Sequence, residues 1–323
     1  MKDNPLRIEL LRNSDKDSIK IINETEFKSI YKFDFKNSGK GQMISYEVFP
    51  GIHLINIDIN GFNLDKIFRK TEDKEITINH CRKGRFECNF YGKYQYLHEG
   101  DLVASTKNTK GQYSGFPLGF YEGIEIFIDI NIAKKYLNNI LGYSFDLDEL
   151  YNKICQNDNF LLFKASERIE HIFNELYYVD EKIQIMYYKL KILELFLFLK
   201  ITPLNDIRGD IPHLSKKQVD TIKKIKKEII KNINEPITLN DLSKKYKISN
   251  TSLKTSFKTI YGKPLFTWRK EYRLQEAKRL LKESGKKISQ IASDVGYKNS
   301  SKFSVAFKEY YNITPREYRL KKK

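Results

Sequence analysis

The chain has 323 residues, of which 40% are hydrophobic and 31% are charged, and its net charge is +17. A single core rarely grows this large, so the length favours about two domains. No run of eighteen apolar residues occurs, and charges interrupt the amino-terminal residues, which argues against a membrane span or a signal peptide and predicts a cytoplasmic protein.

The excess positive charge lies in the last third of the chain. From Ser215 to the end there are 29 Lys and Arg residues against 10 Asp and Glu, whereas the preceding part has 29 basic and 31 acidic residues. A neutral part joined to a strongly basic part indicates that only the second meets a polyanion. Nucleic acid is the first candidate for this polyanion, and an anionic membrane surface is the second.

The first part of the chain begins with strands, which we expect over about 40–130. Residues 51–59, 74–90 and 93–103 are short runs rich in β-branched and aromatic side chains. Several such runs without helical patterns between them predict a small antiparallel β-barrel or sandwich.

Helices follow over about 132–200, as an appendage to the strands. Near the end of this segment, apolar residues recur at helical spacing, at Ile183, Met186, Leu190, Leu193 and Leu197. The segment is apolar on more than one side, so it fits either a buried helix or one half of a dimer interface.

A linker is predicted over 202–214, where Pro203, Gly209 and Pro212 interrupt any helical or strand period. It separates a first domain, 1–201, from a second, 215–323. The fold class is therefore α+β, with a β-rich first domain and an all-α second domain.

No catalytic or metal centre is indicated. The three cysteines form no C-x-x-C pair, and no nucleophile, general base or phosphate-loop motif stands out. The histidines are scattered rather than grouped as metal ligands, at positions His53, His80, His98, His171 and His213. We expect free buried thiols, no metal, no cofactor and no enzyme.

The segment "ISQIASDVGYKNSSKFSVAF", residues 288–307, has the pattern of two helices that cross at a tight turn. Ala292 allows close approach of the helices, and Gly296 can take the left-handed conformation that redirects the chain. Phe303 and Phe307, four residues apart, share the inward face of the second helix. This pattern predicts a helix-turn-helix.

The same pattern occurs earlier, in "LNDLSKKYKISNTSLKTSF". Leu253 and Phe257 precede the two phenylalanines of the later copy by 50 residues, and the residues before the turn are offset by 49. Lys247 stands where the later copy has its turn glycine. Between the copies, Trp268 and Leu274 belong to a run of apolar residues that predicts one long connecting helix.

Residues 215–320 resemble the DNA-binding domain of the AraC/XylS family of bacterial transcription regulators. The resemblance is carried by "WRKEYRLQEAKRLL", "ISQIASDVGY" and "KFSVAFKEYYNITPREYR". It implies two helix-turn-helix units joined by a central helix, with their second helices in successive major grooves. Arg269 departs from the pattern, because the family more often has an aliphatic residue there.

The first domain is similar, more loosely, to the cupin-like sensor domains that precede this module in many members of the family. The resemblance implies a transcriptional activator that responds to an unknown small-molecule effector. Its implied partners are promoter or operator DNA, RNA polymerase and a second copy of the chain, and it favours the interface role for the apolar segment around residue 190.

The groove-facing residues follow from the helical pattern, because the inward positions leave the others exposed, and the resemblance assigns the same positions to the groove. They are Thr251, Lys254, Thr255, Lys258, Ser301, Ser304, Val305 and Lys308. This set has no arginine or asparagine, so we expect DNA shape to contribute to sequence preference. The alternative function is a sequence-independent architectural DNA-binding protein.

Overall fold

The structure is a computed structural model that describes residues 19–35, 39–61, 74–90, 92–106, 114–141, 146–156, 160–202 and 213–321. The chain divides into two compact units, Met1–His213 and Leu214–Lys323. Most of the predicted linker, 203–212, lies outside the described residues. Within the described ranges, no helix combines the length and the apolar character that crossing a membrane requires.

The first unit is rich in strands, which form two antiparallel sheets. In chain order the strands are β1 (Ile19–Glu24), β2 (Lys28–Phe35), β3 (Gly39–Phe49), β4 (Ile52–Gly61), β5 (Glu75–Gly84), β6 (Phe86–Phe90), β7 (Lys93–Leu97), β8 (Leu102–Thr106), β9 (Ser114–Gly115), β10 (Phe120–Asp129) and β11 (Phe160–Phe163). The larger sheet has the order β1-β2-β3-β4-β10-β5-β8-β11, and the smaller contains β7-β6-β9.

The predicted strand range of about 40–130 was too narrow at both ends. Two strands, β1 and β2, precede it. In β2, Tyr31 and Phe33 are buried and alternate with the exposed Lys32, so one face of the strand is buried. The strand β11 falls inside the segment predicted to be helical. Its sequence, "FLLF", is a short uniformly apolar run, whose periodicity cannot distinguish a strand from a helix.

Among the described residues of the first unit, four helices follow or interrupt the strands, and they are α1 (Ile130–Leu141), α2 (Leu147–Cys155), α3 (Glu167–Tyr177) and α4 (Gln184–Ile201). One face of the larger sheet packs with these helices around Leu54, Ile126 and Phe173. The other face shares a second core with the smaller sheet, around Ile57 and Cys88.

The last helix of this unit, α4, exposes a continuous apolar face. Its buried residues include Tyr188, Ile192 and Leu199. By contrast, four of the five residues that the sequence pattern singled out are exposed, and the fifth, Leu193, is only half-buried. The exposed four are Ile183, Met186, Leu190 and Leu197.

The second unit is helical after a two-residue strand, β12 (Leu214–Ser215). Its helices are α5 (Lys216–Lys231), α6 (Leu239–Tyr246), α7 (Asn250–Tyr261), α8 (Leu265–Glu283), α9 (Ile288–Asp294), α10 (Ser300–Tyr311) and α11 (Pro315–Leu320). The long helix α8 connects two helix pairs, α6 with α7 and α9 with α10. Two reciprocal hydrogen-bonded caps, Thr238 with Asp241 and Thr314 with Glu317, start α6 and α11.

Candidate nucleic-acid interface

Both helix pairs turn through a residue in the left-handed conformation. Gly296 has φ +84°, and its counterpart in the first pair, Lys247, has φ +50° although it carries a side chain. The same backbone hydrogen bond, between residues five positions apart, closes each turn. Ile248 N–H donates to Ser243 O at 3.1 Å, and Tyr297 N–H donates to Ala292 O at 2.8 Å. The two turns therefore have one geometry despite their different residues.

The second helix of each pair is capped at both ends. The Ser249 hydroxyl accepts a bond from the backbone N–H of Ser252 at 3.1 Å and starts α7. The Asn299 side chain accepts from the N–H groups of Ser301 and Lys302 at 2.8 and 3.0 Å and starts α10. Left-handed residues, one glycine and one asparagine, end the two helices.

The structure leaves most of the predicted groove-facing residues exposed. The exposed members are Thr251, Lys254, Thr255, Lys258, Ser301, Val305 and Lys308. Ser304 is half-buried, and its hydroxyl donates to the backbone O of Ser300 at 2.9 Å, so it is less available to a base. Lys302, which is not among the predicted groove-facing residues, is also exposed on α10.

The inward faces of these helices explain why the outward faces are fixed. Leu253, Phe257 and Ile260 of α7 are fully buried, as are Phe303 and Phe307 of α10. Each buried aromatic ring restricts rotation of its helix about its own axis, since exposing it would cost roughly 2 kcal/mol or more.

The internal repeat extends well beyond the two helix pairs. Phe257 packs on Tyr261 with ring centroids 4.7 Å apart, and Phe307 packs on Tyr311 at the same 4.7 Å. The next helix supplies a third ring in each copy. It is Trp268 at 5.5 Å from the first phenylalanine, and Tyr318 at 5.9 Å from the second.

In each copy, a lysine lies over two of these aromatic rings. Lys226 Nζ is 4.5 Å from the Tyr261 ring centroid and 5.7 Å from that of Trp268. Lys278 Nζ is 4.6 Å from Tyr311 and 5.7 Å from Tyr318. These lysine-aromatic contacts hold the carboxyl end of each groove-facing helix to the helix beside it.

In each copy, an arginine near the end of the copy donates hydrogen bonds to the loop that precedes its first helix. The Arg269 guanidinium donates to the backbone carbonyls of Ile233 and Glu235, in the loop before α6. Arg319, 50 residues later, donates to the Lys286 carbonyl at 2.8 Å, in the loop before α9. Burial of the unexpected arginine at 269 is therefore accommodated by backbone acceptors rather than by a carboxylate.

Burial also changes the pKa of one of the two lysines that lie over aromatic rings. It lowers the pKa of Lys226 to about 8, and the neighbouring Lys223 acts in the same direction. The two aromatic faces favour the charged amine and act against this shift. The described residues contain no group of three or more His, Cys, Asp or Glu side chains that could hold a metal ion.

Two capped helices with fixed, lysine-bearing outer faces, repeated in one basic unit, define a double helix-turn-helix of the DNA-binding class. Residues 242–321 match a family model described as "Helix-turn-helix domain". The second unit is an AraC-type DNA-binding domain, the domain of the AraC/XylS family of transcription regulators.

Similar proteins carry related names. The HTH-type transcriptional activator RhaS of Mannheimia succiniciproducens is 24% identical over 246 residues, covering 70% of this chain and 89% of the relative. The HTH-type transcriptional regulator ArgR of Pseudomonas aeruginosa is 31% identical over 88 residues, covering 27% of each chain. The chain thus spans only about a quarter of the length of ArgR.

A solved structure is similar to about a third of this chain. It is a transcriptional regulator from Chromobacterium violaceum, described as containing an AraC-type DNA-binding domain. It is 29% identical, covers 32% of this chain and 93% of its own, and has a TM-score of 0.31.

Proposed function

We propose that this chain is a sequence-specific transcription activator whose DNA contacts are made by α7 and α10. The observation that carries the proposal is the repeated, exposed outer face of these two helices within a unit of strong positive charge. The lysines supply affinity by neutralising phosphates, and the hydroxyl side chains and Val305 contact base edges or thymine methyl groups. RhaS is named an activator, which supports the direction of regulation proposed here.

The proposal is tested with the purified full chain and a pool of genomic fragments. Fragments retained by the protein are sequenced, and one of them is competed against bulk DNA. A sequence-specific regulator prefers its site by about 10³-fold or more. A preference of less than about tenfold would favour the architectural alternative.

Variants then locate the contacts. Val305→Arg is expected to change which bases are preferred at one or two positions, because it places a bidentate donor beside them. Lys254→Ala is expected to weaken binding by roughly fivefold or more. Lys282→Ala, an exposed lysine near the end of α8, is the charge-matched control and is expected to leave the footprint unchanged. Unchanged base preference in Val305→Arg, together with unchanged affinity in Lys254→Ala, would contradict the assigned faces.

The first unit is proposed to be a cupin-like β-barrel that senses a small-molecule effector, with domain bounds 1–201, linker 202–214 and DNA-binding domain 215–323. Its two sheets around a shared core and the compact division at His213 and Leu214 support this organisation. An effector regulates only if it binds the DNA-competent arrangement with different affinity from the other. RNA polymerase is the proposed partner at promoters.

A homodimer is proposed to form through the exposed face of α4. The apolar residues there are spaced alternately by three and four positions, from Ile183 to Leu197, as in a coiled-coil seam. With Leu190 63% exposed, a second copy of the same helix is the self-complementary partner.

Sedimentation equilibrium tests the dimer. Leu190→Glu is expected to shift the full chain to monomer, because it places like charges opposite each other in the seam. Ile140→Glu is the matched control, since it replaces an apolar residue of similar exposure on α1. Dissociation caused by the control rather than by Leu190→Glu would refute the assignment.

A further inference from the structure

A cleft of about 280 Å³ lies within the second unit, between α8 and the second helix pair. Its walls combine cationic and aromatic side chains with one small residue, and they are formed by Phe266, Arg269, Lys270, Arg273, Tyr297 and Ala306. The cleft has three cations and no acidic side chain among its lining residues, which makes it electropositive. Lys270 Nζ lies 3.9 Å from Glu309 Oε2 of α10, so an anion bound at the rim would compete with this exposed carboxylate.

Two of these cations, the buried Arg269 and the half-buried Arg273, are held together without a counter-ion among the described residues. Arg269 and Arg273 are one helical turn apart on α8, and both donate to the Ile233 carbonyl. Neither forms an ion pair with any residue that the structure describes. Burial, and then repulsion from Arg273, lower the pKa of Arg269 to about 10, and burial lowers the pKa of Arg273.

The hydrogen-bonding capacity of the pair is also incomplete. Arg269 is 93% buried, since only 7% of its surface is exposed, and its Nε–H has no partner among the described residues. A buried guanidinium N–H that is left without an acceptor typically costs about 1–3 kcal/mol. Arg273 uses its Nε and Nη2 on the Ile233 carbonyl, which leaves its other terminal nitrogen, Nη1, without a hydrogen-bond acceptor among the described residues.

We propose that this cleft binds a small oxyanion, a phosphate or carboxylate group, that pairs with Arg269 and Arg273 and is closed at the rim by Lys270. The guanidinium N–H groups that the backbone carbonyls leave free can donate to the oxygens of such a group, and two guanidinium groups with a lysine provide more positive charge than one monoanion needs. Phe266 and Tyr297 offer aromatic walls to any apolar part of the ligand.

The position of the cleft gives the bound anion a consequence for DNA recognition. Ala306, which lines the cleft, belongs to α10. It stands in the sequence between Val305, which faces outward, and the buried Phe307. An occupant therefore contacts both the central helix and the groove-facing helix of the second pair. Binding in the cleft is expected to stabilise α10 in one orientation.

Inorganic phosphate is the probe for the full chain, with sodium chloride added to keep the ionic strength constant. Phosphate is expected to raise the unfolding midpoint of the second unit in a saturable way, read from the fluorescence of Trp268, the single tryptophan. Arg269→Leu should remove the effect, and Lys270→Gln should weaken apparent affinity by roughly threefold or more. Lys282→Ala, an exposed lysine outside the cleft, should behave like the wild type.

The exposed position of Lys270 keeps the test valid if Arg269→Leu does not fold. A phosphate effect no larger than that of chloride in the wild type, or one that Lys270→Gln leaves unchanged, would overturn the proposal.

A second arm distinguishes a free anion from a phosphate of the DNA backbone. Ethylation interference on a retained DNA fragment is compared between the wild type and Lys270→Gln. If the cleft takes a backbone phosphate, one interference position is lost in the variant and inorganic phosphate competes with DNA. If it takes a free anion, the interference pattern is the same and phosphate still shifts the unfolding midpoint with DNA bound. Phosphate binding does not depend on sequence-specific DNA recognition, so the two proposals fail separately.

Discussion

The two helix-helix turns permit a matched experiment on backbone conformation. Gly296 has φ +84°, and a Cβ built on it would lie 2.3 Å from Arg273 Nη2 and 2.9 Å from the backbone Cα of Asn234. Its counterpart Lys247 already has a side chain at φ +50°. Gly296→Ala and Lys247→Gly therefore change equivalent positions in opposite directions.

The expected magnitudes follow from three terms. A side chain in the left-handed region costs about 1–2 kcal/mol, and loss of glycine's freedom in the unfolded chain returns about 0.4–1 kcal/mol. Displacing the Asn234 backbone adds about 1–3 kcal/mol, because the arginine end can move but the main chain cannot easily do so. Gly296→Ala should thus lower the free energy of unfolding by roughly 1–5 kcal/mol, whereas Lys247→Gly, which reverses only the first two terms, should leave it unchanged or raise it by up to about 1.6 kcal/mol.

Urea titration of the full chain, followed by tryptophan fluorescence, measures both changes. Trp268 is the single tryptophan and is packed against Phe257 in the second unit, so the signal reports that unit. Equal losses in the two variants would refute the reasoning, because the steric contact at Asn234 exists only at the glycine. A loss in Lys247→Gly alone would show that the lysine side chain stabilises its turn.

Three further results are expected. Burial raises the pKa of Cys81 and Cys88 well above its usual range, so a thiol reagent at pH 8 should modify at most the half-buried Cys155 until urea unfolds the chain; rapid labelling of two or more thiols in the folded chain would contradict this. The pKa of Lys226 is lowered to about 8, so between pH 8 and about 10.4 the unfolded chain binds one more proton than the folded chain. The stability of the wild type relative to Lys226→Met should therefore rise with pH across that window. Parallel pH profiles would show that the aromatic rings cancel the effect of burial. Thr314→Ala should cost about 1 kcal/mol of unfolding free energy by removing the cap of α11, and an unchanged urea midpoint would mean that α11 does not unfold with the rest of the unit.

The helical repeat could be predicted because its information is local. An offset of 50 residues between the inward-facing residues after the turns, and of 49 between those before the turns, was enough to place both helix pairs, and the structure has a helix at each of the four positions. The same offset, applied further, relates Arg269 to Arg319. Their role was missed because their partners are backbone carbonyls, which leave no trace in the sequence.

The first unit was predicted less completely, also for physical reasons. In α4 thirteen of the eighteen residues are aliphatic or aromatic, so periodicity shows a helix but not which of its sides is covered by the sheet. Leu190 and Leu195 are indistinguishable by type, yet one is exposed and the other fully buried. Such a choice depends on long-range packing, which a single sequence does not reveal.

The nineteen residues of α8 serve two structures at once. The first half of the helix carries Trp268 and Arg269, which complete the earlier copy, and the second half carries Lys278, which begins the later one. Neither copy can consequently be cut out as an autonomous module, because division anywhere along this shared helix removes a closing element from one of them.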